Sequence, residues 1–140
     1  MTAVLFAATT PSDDASACSC GPSDTPGEAL AKSDAVFEAT VEKIDAVPTK
    51  MDPVTARVTG GSLAHVTVLR SWKGAAARSH VLVEGGIGAS MCGYPFVVGK
   101  TYVIYAYRGQ ESQLRTSICR RTKLSEVAQE DLKALGPGKT

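Results

Sequence analysis

The chain has 140 residues, which at roughly 100 to 200 residues per domain leaves room for one domain. Its 44% apolar and 21% charged residues can bury a core and exclude a disordered polymer, and no run approaches the ~18 apolar residues of a membrane-spanning helix, so no transmembrane segment is expected. Fifteen Lys and Arg against fourteen Asp and Glu leave a net charge of +1, too balanced for the basic footprint that binds a phosphate backbone, and no nucleic-acid partner is expected.

Residues 1–17 read as the remnant of a secretory signal: an apolar stretch over 3–8, then a polar region ending in Ala15-Ser16-Ala17, where small residues form a cleavage site. The stretch is shorter than the usual span of about seven to fifteen residues, and no Lys or Arg precedes it. Cleavage there exports the protein with Cys18-Ser19-Cys20 at its N-terminus. The second reading is a lipoprotein signal that anchors the protein at the cell surface through Cys18, although Asp13 and Asp14 interrupt its apolar approach.

Residues 18–140 form the expected domain. Gly21-Pro22-Ser23-Asp24 is turn-rich, and Thr25 with Glu28 makes a capping box for a short helix to about Lys32. Residues 35–45 alternate, with Phe37, Ala39 and Val41 on one side and Glu38, Thr40 and Glu42 on the other, as a half-buried strand does. Pro48, Pro53 and Gly60-Gly61 break the pattern, so 46–61 reads as a loop with a short strand at 56–59. Strands follow at 63–72, 80–84, 101–108 and 114–117, for a working count of five. In the tail, Leu124, Val127, Ala128, Leu132 and Leu135 share one helical face, and Gly136-Pro137 stops the helix. The pattern is all-β with flanking helices, either a small barrel or a sandwich.

Four cysteines, Cys18, Cys20, Cys92 and Cys119, fit the disulfide framework of a secreted domain. A Cys18–Cys20 bond would close a very tight ring, so each is expected to reach a distant partner, Cys92 or Cys119. The competing reading is a four-thiolate zinc site, whose usual spacing is two C-x2-C pairs rather than one C-x-C and two isolated cysteines. No intrinsic metal and no cofactor are expected.

An enzyme reading finds only His65 and His80 as bases, both within strand patterns, with no Gly-x-Ser-x-Gly turn. Disulfide pairing also removes the thiolate nucleophile. The chain is therefore not expected to be an enzyme. Phe37, Trp72, Phe96, Tyr102, Tyr105 and Tyr107 could form a base-stacking platform, but they lie in or beside apolar runs and read as core.

Cys18-Ser19-Cys20 directly after a cleavage point, Ser33-Asp34-Ala35-Val36 opening the first strand, Ser90-Met91-Cys92-Gly93-Tyr94, and Thr116-Ser117-Ile118-Cys119 before the last helix occur in an informative order. Over residues 18–136 the sequence resembles the N-terminal domain of the tissue inhibitors of metalloproteinases. The resemblance implies a disulfide-stapled OB-fold, a five-stranded Greek-key barrel, with bonds Cys18–Cys92 and Cys20–Cys119. It further implies a secreted, monomeric inhibitor whose partner is a zinc metalloprotease. The Cys18 α-amine and carbonyl would chelate the protease zinc, and Ser19, Cys20, Ser90, Met91 and Cys92 would contact its subsites. The family's third cysteine pair has no counterpart, Leu30 standing near one position, and 46–61 shows no clear match to the family's loop. Netrin-like barrels, which bind proteins without inhibiting a protease, give the alternative function.

Overall fold

The computed structural model describes residues 18–56, 58–86, 92–109 and 112–140. The signal remnant at 1–17, and Ser90 and Met91, lie outside the described residues.

Helix α1 (Pro26–Lys32) starts where Thr25 Oγ1 accepts the Glu28 amide at 3.2 Å, with Pro26 in its first turn. It delivers the chain to β1 (Ala35–Met51), which turns back into β2 (Val58–Lys73), and then β3 (His80–Glu84), β4 (Thr101–Arg108), β5 (Leu114–Arg115) and β6 (Lys123–Leu124) follow. A 3-10 turn (Ser125–Val127) leads into helix α2 (Gln129–Leu135).

The strands are ordered β1-β2-β3-β5-β4-β6, and β1 also pairs with β4. The first five therefore close a ring of pairings, antiparallel except for β3 beside β5. The first half of β1 is held on both edges: Ala35 faces Ala106 on β4 through to Thr40 opposite Thr101, while the other edge runs along β2.

Alternation along β1 then sorts side chains to two cores. Ala35, Phe37, Ala39 and Val41 face inward with Val66, Val68, Val83, Tyr102 and Ile104. Val36 points the other way and joins Val103 and Tyr105 under Ala29 and Ala128, where α1 and α2 cover the sheet. Of the six aromatics read as core, Phe37, Phe96, Tyr102 and Tyr105 are buried, and Trp72 and Tyr107 are half-buried.

Three expectations change. Residues 46–61 are mostly strand, because β1 and β2 continue as one long hairpin with Met51 opposite Val58. Pro48 fits because the register shifts between Val47 and Lys50, where a bulge needs no amide from it. Gly60, at φ +93°, sits so close that a Cβ would run into the Pro48 carbonyl oxygen. The turn itself is short: Asp52 Oδ1 accepts the Val54 and Thr55 amides at 2.8 and 3.2 Å. The expected strand at 114–117 is paired as strand only at Leu114 and Arg115. The tail helix is shorter than its apolar face suggested, since Leu124 lies on β6 and Val127 is 62% exposed.

The C-terminal end is clasped to β2. Ser71 and Lys139 exchange backbone hydrogen bonds at 2.8 and 2.9 Å, and Trp72 Nε1 donates to the Gly136 carbonyl at 3.0 Å.

Candidate functional site

The four cysteines converge at one end of the sheet. Cys18 is bonded to Cys92 and Cys20 to Cys119, so the N-terminal segment is pinned at two points on two different loops. Ser19, between the pins, is exposed, as are Cys20 and Cys119.

Both receiving loops are fixed from below. Past Cys92 the chain passes a buried Gly93, and the Tyr94 amide donates to the Gly85 carbonyl at 2.6 Å, at the end of β3. The Tyr94, Phe96 and Tyr102 rings then pack with centroids 4.8 to 5.7 Å apart. Burial among them pushes the Tyr94 hydroxyl up to about 12. The Tyr102 hydroxyl accepts the Val97 amide at 2.9 Å, tying the connection between Cys92 and β4 back to the barrel.

Cys119 follows Thr116 and Ser117. Thr116 Oγ1 lies 2.7 Å from Thr122 Oγ1 and donates to the Tyr105 carbonyl, closing the loop at its base. Ser117 Oγ accepts the Cys119 amide at 3.2 Å. The two loops also meet directly, since the Ile118 amide donates to the Cys92 carbonyl at 3.1 Å.

The disulfides touch: Cys18 Sγ lies 3.3 Å from Cys119 Sγ and 3.9 Å from Cys20 Sγ. The Cys18, Cys20 and Cys119 sulfurs fall within 4.8 Å of one another, but all are spent in disulfides and offer no thiolate to a metal in this state. Beside them lies a groove of about 210 Å³ flanked by Cys20, Cys119, Arg120 and Arg121. Arg120 rests 4.2 Å from the centre of the Tyr107 ring. Arg121 donates to the Asp24 carbonyl at 2.8 Å, fastening the segment after Cys20 to the barrel.

A buried charge cluster supports this end and was not legible in the sequence. Asp131 on α2 has no exposure, and it accepts from Tyr105 Oη at 2.7 Å, Arg121 Nε at 2.7 Å and Lys123 Nζ at 2.8 Å. Burial would raise its pKa, yet the hydrogen bonds from Arg121, Lys123 and Tyr105 outweigh it and hold the carboxyl down at about 2. The same burial, with the Asp131 hydrogen bond, drives the Tyr105 hydroxyl well above its ordinary value.

The two histidines lie away from this end, on the outer face of β2 and β3. His65 Nε2 is 2.7 Å from Asp45 Oδ2, and His80 Nδ1 is 3.8 Å from Glu42 Oε2. The His65 contact, then that of Lys43, lowers the Asp45 carboxyl. Neither histidine has a hydroxyl or thiol nucleophile bonded to it among the described residues.

No protein-family model matches the chain, and no curated protein matches it. No helix among the described residues is long and apolar enough to cross a membrane.

Proposed function

We propose that the mature chain is a secreted, monomeric inhibitor of a zinc metalloprotease, with no catalytic activity of its own, built on an OB-fold Greek-key barrel. The strand order, with β1 shared between β2 and β4 and β3 parallel to β5, supports that barrel reading. The observation that carries the inhibitor reading is the doubly pinned Cys18-Ser19-Cys20 segment with Ser19 exposed between its disulfides.

Cleavage after Ala17 would free the Cys18 amine; an ordinary α-amine has a pKa of about 7.7 to 8.0 and so loses a proton to bind zinc at small cost near neutral pH. A catalytic zinc keeps one position open for water or substrate, and the Cys18 amine and carbonyl would fill it. Ser19 would enter the adjoining specificity pocket, with Cys20, Ser90, Met91 and Cys92 against neighbouring subsites. Two staples hold the segment in one shape before binding, which reduces the entropy lost on association.

The test is the mature protein against a panel of zinc proteases, after N-terminal sequencing of exported material shows Cys18 first. Inhibition should disappear when one alanine precedes Cys18 or its amine is acetylated, with the circular dichroism spectrum unchanged. Ser19→Gly should alter the ranking of proteases while keeping inhibition. A free Cys18 amine that inhibits nothing in the panel would transfer the reading to a netrin-like protein-binding barrel, and a lipid on Cys18 to a surface-anchored one.

A further inference from the structure

We propose that the same four cysteines, once reduced, form a tetrathiolate site for a soft d10 dication, Zn2+ or Cd2+. A tetrahedral zinc with Zn–S bonds of about 2.3 Å sets its sulfurs about 3.8 Å apart. Cys18 Sγ already stands 3.9 Å from Cys20 Sγ and 3.3 Å from Cys119 Sγ, and those three sulfurs lie within 4.8 Å of one another. Cys92 Sγ is bonded to the first of them but stands outside the three-sulfur cluster, so Cys92 is the ligand that must swing in on reduction.

Opening the two disulfides leaves the frame standing. The Cys92 and Cys119 loops remain joined by the Ile118 amide to the Cys92 carbonyl, and Cys119 by its amide to Ser117 Oγ. Arg121 still holds the Asp24 carbonyl just past Cys20. The bonded pairs have Cα separations of 5.0 and 5.2 Å, and rotating a cysteine about its Cα–Cβ bond from one staggered position to the next moves its sulfur by about 3 Å, enough to re-aim it. Cys20 and Cys119 are exposed, giving an ion a way in. Arg120 and Arg121 flank the groove beside them, and positive charge there favours thiolates.

The chemistry balances with a dithiol as reductant. Two disulfides take up four electrons and four protons from two dithiol molecules, which leave as disulfides. The dication then displaces four thiol protons to solvent and leaves a site of charge −2. Reoxidation by two molecules of a small disulfide, which take up the four electrons with four protons and leave as thiols, removes the ligands and expels the ion. Disulfide and metal thus close the same end of the barrel in two redox states.

The test titrates the full chain, reduced with a dithiol and freed of it without air, with Co2+ as the spectroscopic probe. One equivalent should bind, with sulfur-to-cobalt charge-transfer bands and strong tetrahedral ligand-field bands that Zn2+ erases. The oxidised chain should show neither. Cys20→Ser with Cys119→Ser should weaken binding more than about 100-fold, because half of the ligands are lost. Near-UV circular dichroism of the reduced wild type, before and after metal, keeps the test independent of the variant's folding. Absent charge-transfer bands, binding by the double variant equal to wild type, or binding only after the near-UV signal is lost would each overturn the site. Because no protease enters the assay, its outcome is separate from that of the inhibitor reading.

Discussion

At the scale of single residues, Asp131 is fully buried and accepts from three side chains. One buried carboxylate answers Arg121 and Lys123 and takes the Tyr105 hydroxyl, joining α2, the segment before β6 and β4 at one point. Removing one member of such a group leaves uncompensated charge, so Asp131→Asn should cost about 3 kcal/mol or more, measured by urea unfolding. A midpoint unchanged within error would mean that water replaces the carboxylate there. The acid response follows from the sign of the shift. The folded-state pKa, about 2, lies below the ordinary 3.8, so the stabilisation is fully present above about pH 5 and is lost as pH falls through about 2. Wild type should lose about 2 kcal/mol across that window on this account, and Asp131→Asn should lack that part of the acid loss. The cluster is not legible in the sequence, because a charged residue on an amphipathic helix reads as solvent-facing.

At the scale of elements, legibility followed how sharply a pattern is bounded. Strands β3 and β4 match their expected spans because each is a bounded apolar run, and α1 matches because its capping box and Pro26 mark its start. Residues 46–61 misled because two prolines and two glycines read as breakers, whereas a bulge absorbs Pro48 and the glycine at 60 permits close approach. Leu124 and Val127 misled because a 3-10 turn separates β6 from α2 and turns Val127 outward. At the candidate site, the C-x-C spacing pointed Cys18 and Cys20 each to a distant partner, Cys92 or Cys119. It could not show that the disulfides would lie in contact, since that depends on how the Cys92 and Cys119 loops meet. Gly74, just after β2, is an element-scale position with a plain consequence. It sits at φ +72°, and a Cβ would run into the Asp34 carbonyl oxygen ahead of β1. Gly74→Ala should therefore destabilise by more than about 1 kcal/mol, through strain and displacement of the β1 entry together, as read from the thermal midpoint. A variant as stable as wild type would mean that the β1 entry moves aside freely.

At the scale of the whole molecule, the staples and the core are separate sources of stability. Neither apolar cluster contains a cysteine: one fills the ring of strands, and the other lies between the sheet and its helices. The ring is closed by backbone pairing between β1 and β4 that includes no cysteine, so its closure is not covalent. What the disulfides restrict is the unfolded chain. Bonds spanning 74 and 99 residues each remove about 4 to 5 kcal/mol of unfolded-chain freedom in the entropy model, and because the loops overlap their effects do not add. Full reduction should accordingly leave a cooperatively folding barrel with its near-UV circular dichroism retained, but with a lower urea midpoint. The slope of the transition should rise at the same time, because an uncrosslinked unfolded chain exposes more surface. Denaturation of oxidised and reduced protein side by side measures both quantities. If reduction instead abolishes the cooperative transition at all urea concentrations, the two apolar clusters are too small to hold the ring, and the covalent staples are what folds the domain.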